Sequence, residues 1–351
     1  MTEVPAEAPA EGAPAPRHSR TGLFAPFGIA LVALALWSVW WAVLIERVET
    51  GLNDRIAALR DAGWNVTYGA QQVNGWPFRA SVRLRDLELI APSGQGVSAP
   101  ALAAEAMAWN PDRWVLVARE GLVLSRGDKG KVALEAAAVR ASGSGWGNAY
   151  PNLAVEIVEA RFTPLPGAEP FPLASAARLE VYVRPNAGLE GGPGVAQPAN
   201  DPVDAADVLV RLIEARGRSG GPVAALTRNG VLTVQGEAVI TRARDLSGQG
   251  VAGLTAAWAR NGGALLNVRG ELTAGTSTAQ FDSPRLAAGP DGRLTGQVTL
   301  TARDAAAAVS GLTGATADSL PSTPESTLTL TFADGEARLG PLAVAPAPKL
   351  F

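Results

Sequence analysis

The sequence predicts a mainly β protein, α+β at most: an N-terminal transmembrane helix followed by an elongated, curved antiparallel β-sheet body with few helices. Three observations predict it. Residues 23–45 form an apolar run without a charge. Beyond Gly63 the apolar residues recur with period two, in short segments bounded by Gly, Pro, Asn or Asp. Gly 39 and Pro 26 among 351 residues make a turn-rich chain.

Composition narrows the chemistry. At 47% hydrophobic and 18% charged, the chain can bury a sizeable core. A net charge of −3 leaves no basic footprint for nucleic acid, so no nucleic-acid partner is expected. Cysteine is absent, which removes thiolate nucleophiles and Cys-ligated metal sites. The one histidine, His18, sits in a Pro/Ala-rich tail, so mechanisms built on His have no residue to use. No Gly-x-Ser-x-Gly elbow or phosphate loop appears. The expectation is a non-enzymatic protein with no cofactor, no metal and no catalytic residues.

The elements follow in order. Residues 1–22, rich in Pro, Ala and Glu, read as a disordered cytoplasmic tail. Residues 23–45 would span roughly 35 Å as a helix, enough for a ~30 Å hydrocarbon layer. Trp37, Trp40 and Trp41 cluster where an interfacial belt belongs. Arg17, His18 and Arg20 precede the run, so the positive-inside rule puts the N-terminus in the cytoplasm and the body in the periplasm. Ala33 and Ala35 have cleavage-site spacing, but apolar sequence continues for ten residues past Ala35, which favours a retained inner-membrane anchor.

Residues 46–63 extend the helix. Ile45, Val48, Leu52, Ile56 and Leu59 form a three-and-four stripe, and Gly63 supplies the C′ residue. Residues 64–184 read as a first β-rich region. Phe78, Ala80, Val82 and Leu84 face one way, with Arg79, Ser81, Arg83 and Arg85 opposite. The apolar set then moves to Leu87 and Leu89, which predicts a bulge near Asp86. Further strands are expected over residues 114–118, 122–126, 132–139, 153–162 and 179–184.

Residues 185–203 lack periodicity and read as a linker. Residues 204–217 read as a helix. Asp201 would be its N-cap and Pro202 its N1 residue. Val208, Leu209, Leu212 and Ile213 would form its apolar face, with Gly217 at its end. Residues 218–351 form a second β-rich region with repeat-like strands. The pattern L-x-V-x-G-E recurs with Val234 and Val268, and Gly236 and Gly270, 34 apart. Asp334-Gly335 would turn a final hairpin.

The segment Y-G-A-Q-Q-V-N-G-W-P-F-R-A-S-V-R-L, residues 68–84, follows a membrane helix and leads into a strand. With Val73, Gly75, Trp76, Pro77, Phe78 and Arg79 in these positions, it resembles the alphaproteobacterial domain of unknown function 2125. The ending G-P-L-A-V-A-P-A-P-K-L, residues 340–350, resembles the C-terminal pattern of the same family. The resemblance implies no activity. In style, β-repeats behind an inner-membrane helix are similar to AsmA-like envelope proteins, whose curved sheets present an apolar groove to lipid.

Two candidate sites result. The motif Val73, Gly75, Trp76, Pro77, Phe78 and Arg79 reads as structural. Gly75 makes a turn, Pro77 starts a strand, Trp76 and Phe78 plug the sheet end, and Arg79 caps a carboxylate or carbonyl. The functional alternative is an aromatic ligand clamp. Arg79, Arg83 and Arg85 would face solvent or anionic headgroups. Leu232, Val234, Leu266, Val268, Leu328 and Leu330 would line an apolar groove. The expected function is binding or sheltering of lipid acyl chains in the cell envelope, with residues 23–45 held in the bilayer. The alternative is a scaffold with a closed core that binds an envelope protein.

Overall fold

In the structure, a computed structural model that describes residues 21–146, 151–186, 204–227, 230–246, 254–275, 277–289, 291–303 and 325–349, the apolar run and its extension are one helix, α1 (Thr21–Asp61). It runs through Gly51 and ends as the sequence predicts. Gly63 has φ +86°, its N–H bonds Arg60 O, and the Trp64 N–H bonds Leu59 O, which is the paired bonding of a Schellman cap. The stripe is real, since Ile56 is buried and Val48, Leu52 and Leu59 are half-buried. It also reaches further toward the N-terminus, through Leu44 and Trp41 to Trp37.

The body follows as β1 (Asn65–Thr67), β2 (Ala70–Asn74), β3 (Arg79–Ile90), β4 (Gln95–Met107), β5 (Asn110–Ala118), β6 (Leu122–Arg126), β7 (Lys131–Glu135), β8 (Ala138–Ser144), β9 (Asn152–Pro164), β10 (Leu173–Pro185) and β11 (Ala205–Gly217). Then come α2 (Pro222–Leu226), β12 (Leu232–Thr241), α3 (Leu254–Arg260), β13 (Ala264–Ala274), β14 (Ser277–Ala288), β15 (Leu294–Arg303), β16 (Ser326–Ala333), β17 (Glu336–Leu339) and β18 (Leu342–Pro346). All belong to one antiparallel 18-stranded sheet. It is a meander of consecutive pairings, in which β1 and β2 share the partner β3, β5 and β6 share β4, and β7 and β8 share β9. The strand expected over residues 132–139 is therefore two strands, parted at 136–137 opposite Glu159 with its positive φ of 54°.

Residues 204–217 are not a helix but the strand β11, paired along its length with β10 and β12. The misleading signal was the apolar spacing. The register shifts between Leu212 and Ala215, where Glu214 has φ +48°. Before that bulge the register is unbroken, with Val208 and Leu212 on the dry face and Leu209 and Ile213 on the wet one, so apolar residues on both faces of one strand mimic a helical stripe. Gly217 is no C-cap. An added Cβ there would lie 2.2 Å from the Ala224 nitrogen, so glycine lets α2 lie on the strand. The proposed cap residues Asp201 and Pro202, and residues 187–203 of the proposed linker, lie outside the described residues, as do residues 1–20 of the tail. Near Asp86 the sequence predicts a bulge. The structure has instead a kink with φ +50° and an unbroken register that sets Asp86 across from Pro100. Asn267, at φ +51°, faces Pro284 in the same way. Proline has no N–H to give the ladder, so the strand opposite it can bend at that point without losing a bond.

The registers divide the sheet into a dry and a wet face. Val155, Val181, Val210, Gly236, Gly270, Phe281, Leu300 and Leu328 form one transverse row across β9 to β16. The next row is Glu156, Glu180, Arg211, Gln235, Glu271, Gln280, Thr301 and Thr327. These two rows alternate apolar with polar, as in an antiparallel sheet with one solvated face. On the wet face the nearly buried Glu180 sits between Arg178 at 3.5 Å and Arg211 at 3.5 Å. The 34-residue repeat does not stack translationally. It brings Gly236 and Gly270 directly opposite each other, and the Phe281 ring covers both. An added Cβ on Gly270 would lie 2.5 Å from that ring and 2.2 Å from Gln235 O.

One end of the sheet is closed. Val132, Leu134, Ala160, Phe162, Ala176, Ala215, Leu232 and Ala274 form a buried cluster there, with α2 residues and Phe171 packed on it. Phe171 stacks on Phe162 at 4.7 Å, and the Arg218 guanidinium donates to Phe162 O and Phe171 O. At the C-terminus, Asp334 and Gly335 both take positive φ, so the Asp-Gly hairpin forms as read.

Candidate functional site

The 75–79 turn is built around a glycine that nothing else can replace. Gly75 has φ +119°, and an added Cβ would lie 2.6 Å from Arg79 O. The Arg79 N–H closes the turn on Gly75 O at 2.9 Å, the Trp76–Pro77 bond is cis, and the Ala108 N–H donates to Phe78 O at 2.9 Å. Val73 pairs with Val82 in the strands that lead into and out of the turn.

This turn grips α1. The Trp37 indole donates to Pro77 O at 2.8 Å, and the Trp41 indole donates to Arg79 O at 2.9 Å. The Trp76 indole donates in turn to Ser38 Oγ at 3.3 Å. Leu44, Ala80 and Ala108 are buried beneath, with Trp37, Trp41, Ile45, Val48 and Trp114 around them. At the other end of the helix, the Arg60 guanidinium donates to Val66 O at 2.7 Å. Because β1 pairs with the far end of β3, α1 lies along the sheet edge from the 75–79 turn to the opposite end.

The motif forms the turn that holds α1, and not the plug read from the sequence. Phe78 is 61% exposed and Trp76 is 53% exposed, so neither is a plug. The strand pattern holds only from Ala80, since Phe78 precedes β3 and belongs to the turn. Arg79 does cap a carboxylate, Glu105 at 3.0 Å, with both side chains largely solvated. Such a pair contributes about 0–1 kcal/mol. Arg83 and Arg85 are exposed on the same strand. The residues that receive the motif, Trp37, Ser38 and Trp41, carried a readable signal, because 37, 41, 44, 48 and 52 continue the helical stripe into the apolar run.

The six residues read as a groove are divided among separate buried clusters. Leu232 and Val234 belong to the closed-end cluster. Leu266 is buried at 8%. Val268 and Leu330 pack against Leu286 and Phe332, and Leu328 against Ala279 and Ala302. Of the six, only Val268 lines the cavity of about 1100 Å³ that crosses β8 to β14. Spacing along one strand does not reveal how far each strand is offset from its neighbour, so residues on one face came to sit at different heights.

That cavity occupies the end of the sheet on the side of the 75–79 turn. Its walls include Leu153, Val183, Val208 and Val268 beside Arg113, Arg184 and Arg269. Arg184 pairs with Asp207 at 2.9 Å, and Arg269 pairs with Glu237. The dry face leads from one end to the other. Ile157 and Leu212 pack on the closed core, Val155 and Val181 follow, and Leu153 and Val210 are each 40% exposed toward the open end.

A family model matches residues 41–348 and carries the description "uncharacterized protein conserved in bacteria", domain of unknown function 2125. The chain belongs to the domain of unknown function 2125 family. The match begins at Trp41, so the family includes the body-facing half of α1 as well as the turn that holds it. The searches of curated proteins and of solved structures gave no match. Among the described residues, one helix, α1, is long and apolar enough to cross a membrane.

Proposed function

We propose that this member of the domain of unknown function 2125 family is a single-pass inner-membrane protein whose periplasmic β-body shelters acyl chains of envelope lipid on its dry face. The observation that carries the reading is the asymmetry of that face. It is sealed at one end by the Leu134–Phe162 cluster and left uncovered over β9 to β11 at the other, where Leu153 and Val210 are exposed beside the cavity, between the α1 contact and the buried Leu286–Phe332 cluster. An apolar surface with a closed bottom and an open mouth suits a chain that enters end-on, and burying each methylene contributes about 0.8 kcal/mol. Arginines at the mouth would meet an anionic headgroup.

The test is lipid extraction and mass spectrometry of the full chain purified in mild detergent. Leu153→Asp with Val210→Asp puts two charges on the dry face, while Val115→Asp with Thr329→Asp puts two charges on the wet face, outside the cavity lining. Bound acyl lipid should fall several-fold in the first variant and stay at the parent level in the second. Equal lipid in all three would leave the scaffold reading as the better account. Orientation is checked separately. A reporter active only in the periplasm, fused after Phe351, should be active, and the protein should retain its N-terminus.

A further inference from the structure

The exposed face of α1 and its docked face overlap along the helix. On the exposed side, Phe24, Phe27, Leu31, Leu34, Val39 and Val43 are uncovered. Residues 24–43 span roughly 30 Å at 1.5 Å per residue, the thickness of a hydrocarbon core. On the docked side, the body already touches the helix at Trp37. The stretch that the body leaves wholly uncovered, residues 24–36, spans only about 20 Å. A bilayer that covers Val43 therefore reaches the turns docked at Trp37 and Trp41.

Those turns are made for such a place. Residues 75–79 and 107–110 lie side by side, joined by the bond from the Ala108 N–H to Phe78 O. Between them they expose Trp76 53%, Phe78 61%, Met107 43% and Trp109 62%. Large apolar side chains so exposed, in adjacent turns, are unfavourable in water and favourable at the acyl–headgroup boundary. The backbone is prepared as well. Pro77 O, Phe78 O, Arg79 O and Gly75 O all have donors within the protein, a requirement for irregular chain at membrane depth. Charge begins immediately above, with the Arg79–Glu105 pair and Asp112, which limits how deep the turns can go.

We propose that these two turns are a wedge, inserted in the acyl–headgroup boundary of the bilayer that α1 crosses. The inserted wedge holds the sheet upright, with the open end of its dry face at the membrane. This rests on α1 spanning a bilayer but not on lipid occupying the cavity.

The chain has no cysteine, so single Cys substitutions carry a nitrobenzoxadiazole dye at one defined site. Phe78→Cys and Trp109→Cys report on the wedge, Leu31→Cys on the span, and Asp128→Cys on a turn at the opposite end of the sheet. The labelled full chain is reconstituted in phosphatidylcholine vesicles. It is then quenched either by phosphatidylcholine carrying a nitroxide near the headgroup end of its acyl chain or by aqueous iodide. The dye at positions 78 and 109 should emit to the blue of that at position 128 and be quenched several-fold more by the nitroxide lipid than by iodide. Iodide should dominate at 128 and lipid at 31. Iodide-dominated quenching at both 78 and 109, with lipid quenching intact at 31, overturns the wedge and leaves the span standing. Loss of lipid quenching at 31 overturns the span, and the wedge with it.

Discussion

Leu134→Ala should lower the stability of the body by about 3–5 kcal/mol, toward the top of the range for a buried leucine. Leu134 is 1% exposed at the closed end of the sheet, and many of its buried neighbours are alanines: Ala160, Ala176, Ala215 and Ala274. An alanine cannot swing a side chain into a new void, so the cavity left behind stays open. A loss of this size is a large share of a typical stability of about 5–15 kcal/mol. Urea denaturation of the full chain in detergent is the measurement. Leu153→Ala, at a position 40% exposed on the same face, should cost under about 1.5 kcal/mol because most of its transfer energy is not realised. Equal midpoint shifts for the two would mean the far end is no more solid than the mouth.

Gly75→Ala should be the most damaging change in the family motif. At φ +119° an L-residue costs about 1–3 kcal/mol in backbone strain alone. The new Cβ also meets Arg79 O at 2.6 Å, so the turn has to shift. The two carbonyls that Trp37 and Trp41 hold belong to that turn, so the body should loosen from α1. Gly167→Ala separates the two causes, because Gly167 has φ +81° with nothing within 4 Å of an added Cβ. Its cost should be the backbone part only, with the helix contact intact. Faster proteolysis between α1 and β1 in the Gly75 variant, and not in the Gly167 variant, is the expected result. The same rate in both would make the motif incidental to docking.

Much of the architecture is readable in single segments. Strict alternation in L-T-L-T-F gave β16, with Leu328, Leu330 and Phe332 on one face, and Asp334-Gly335 gave the hairpin behind it. The bounds of β6 are those read from the sequence. These signals are local, because a strand's two faces and a turn's φ preferences are set by residues a few positions apart. The failures involve partners distant in the chain. β11 has the apolar spacing of a helix because Leu209 and Ile213 are apolar on its wet face, where they lie opposite Tyr182 and Arg178 of the neighbouring strand. Phe78 belongs by alternation with Ala80, yet it lies outside the strand because the Gly75 turn ends only at Arg79.

By itself the sequence determined the helix that can cross a membrane, its Gly63 cap, a mainly antiparallel β body and the lack of thiol and imidazole chemistry there. Composition, period and turn preference depend only on neighbours along the chain. The tertiary structure decided which carbonyls Trp37 and Trp41 would bind, which end of the dry face would be sealed, and which aromatic residues would remain outside. Strand offsets and the placing of α1 on the sheet decide these. Both come from the packing of residues far apart in the chain, and no spacing along a single segment records it.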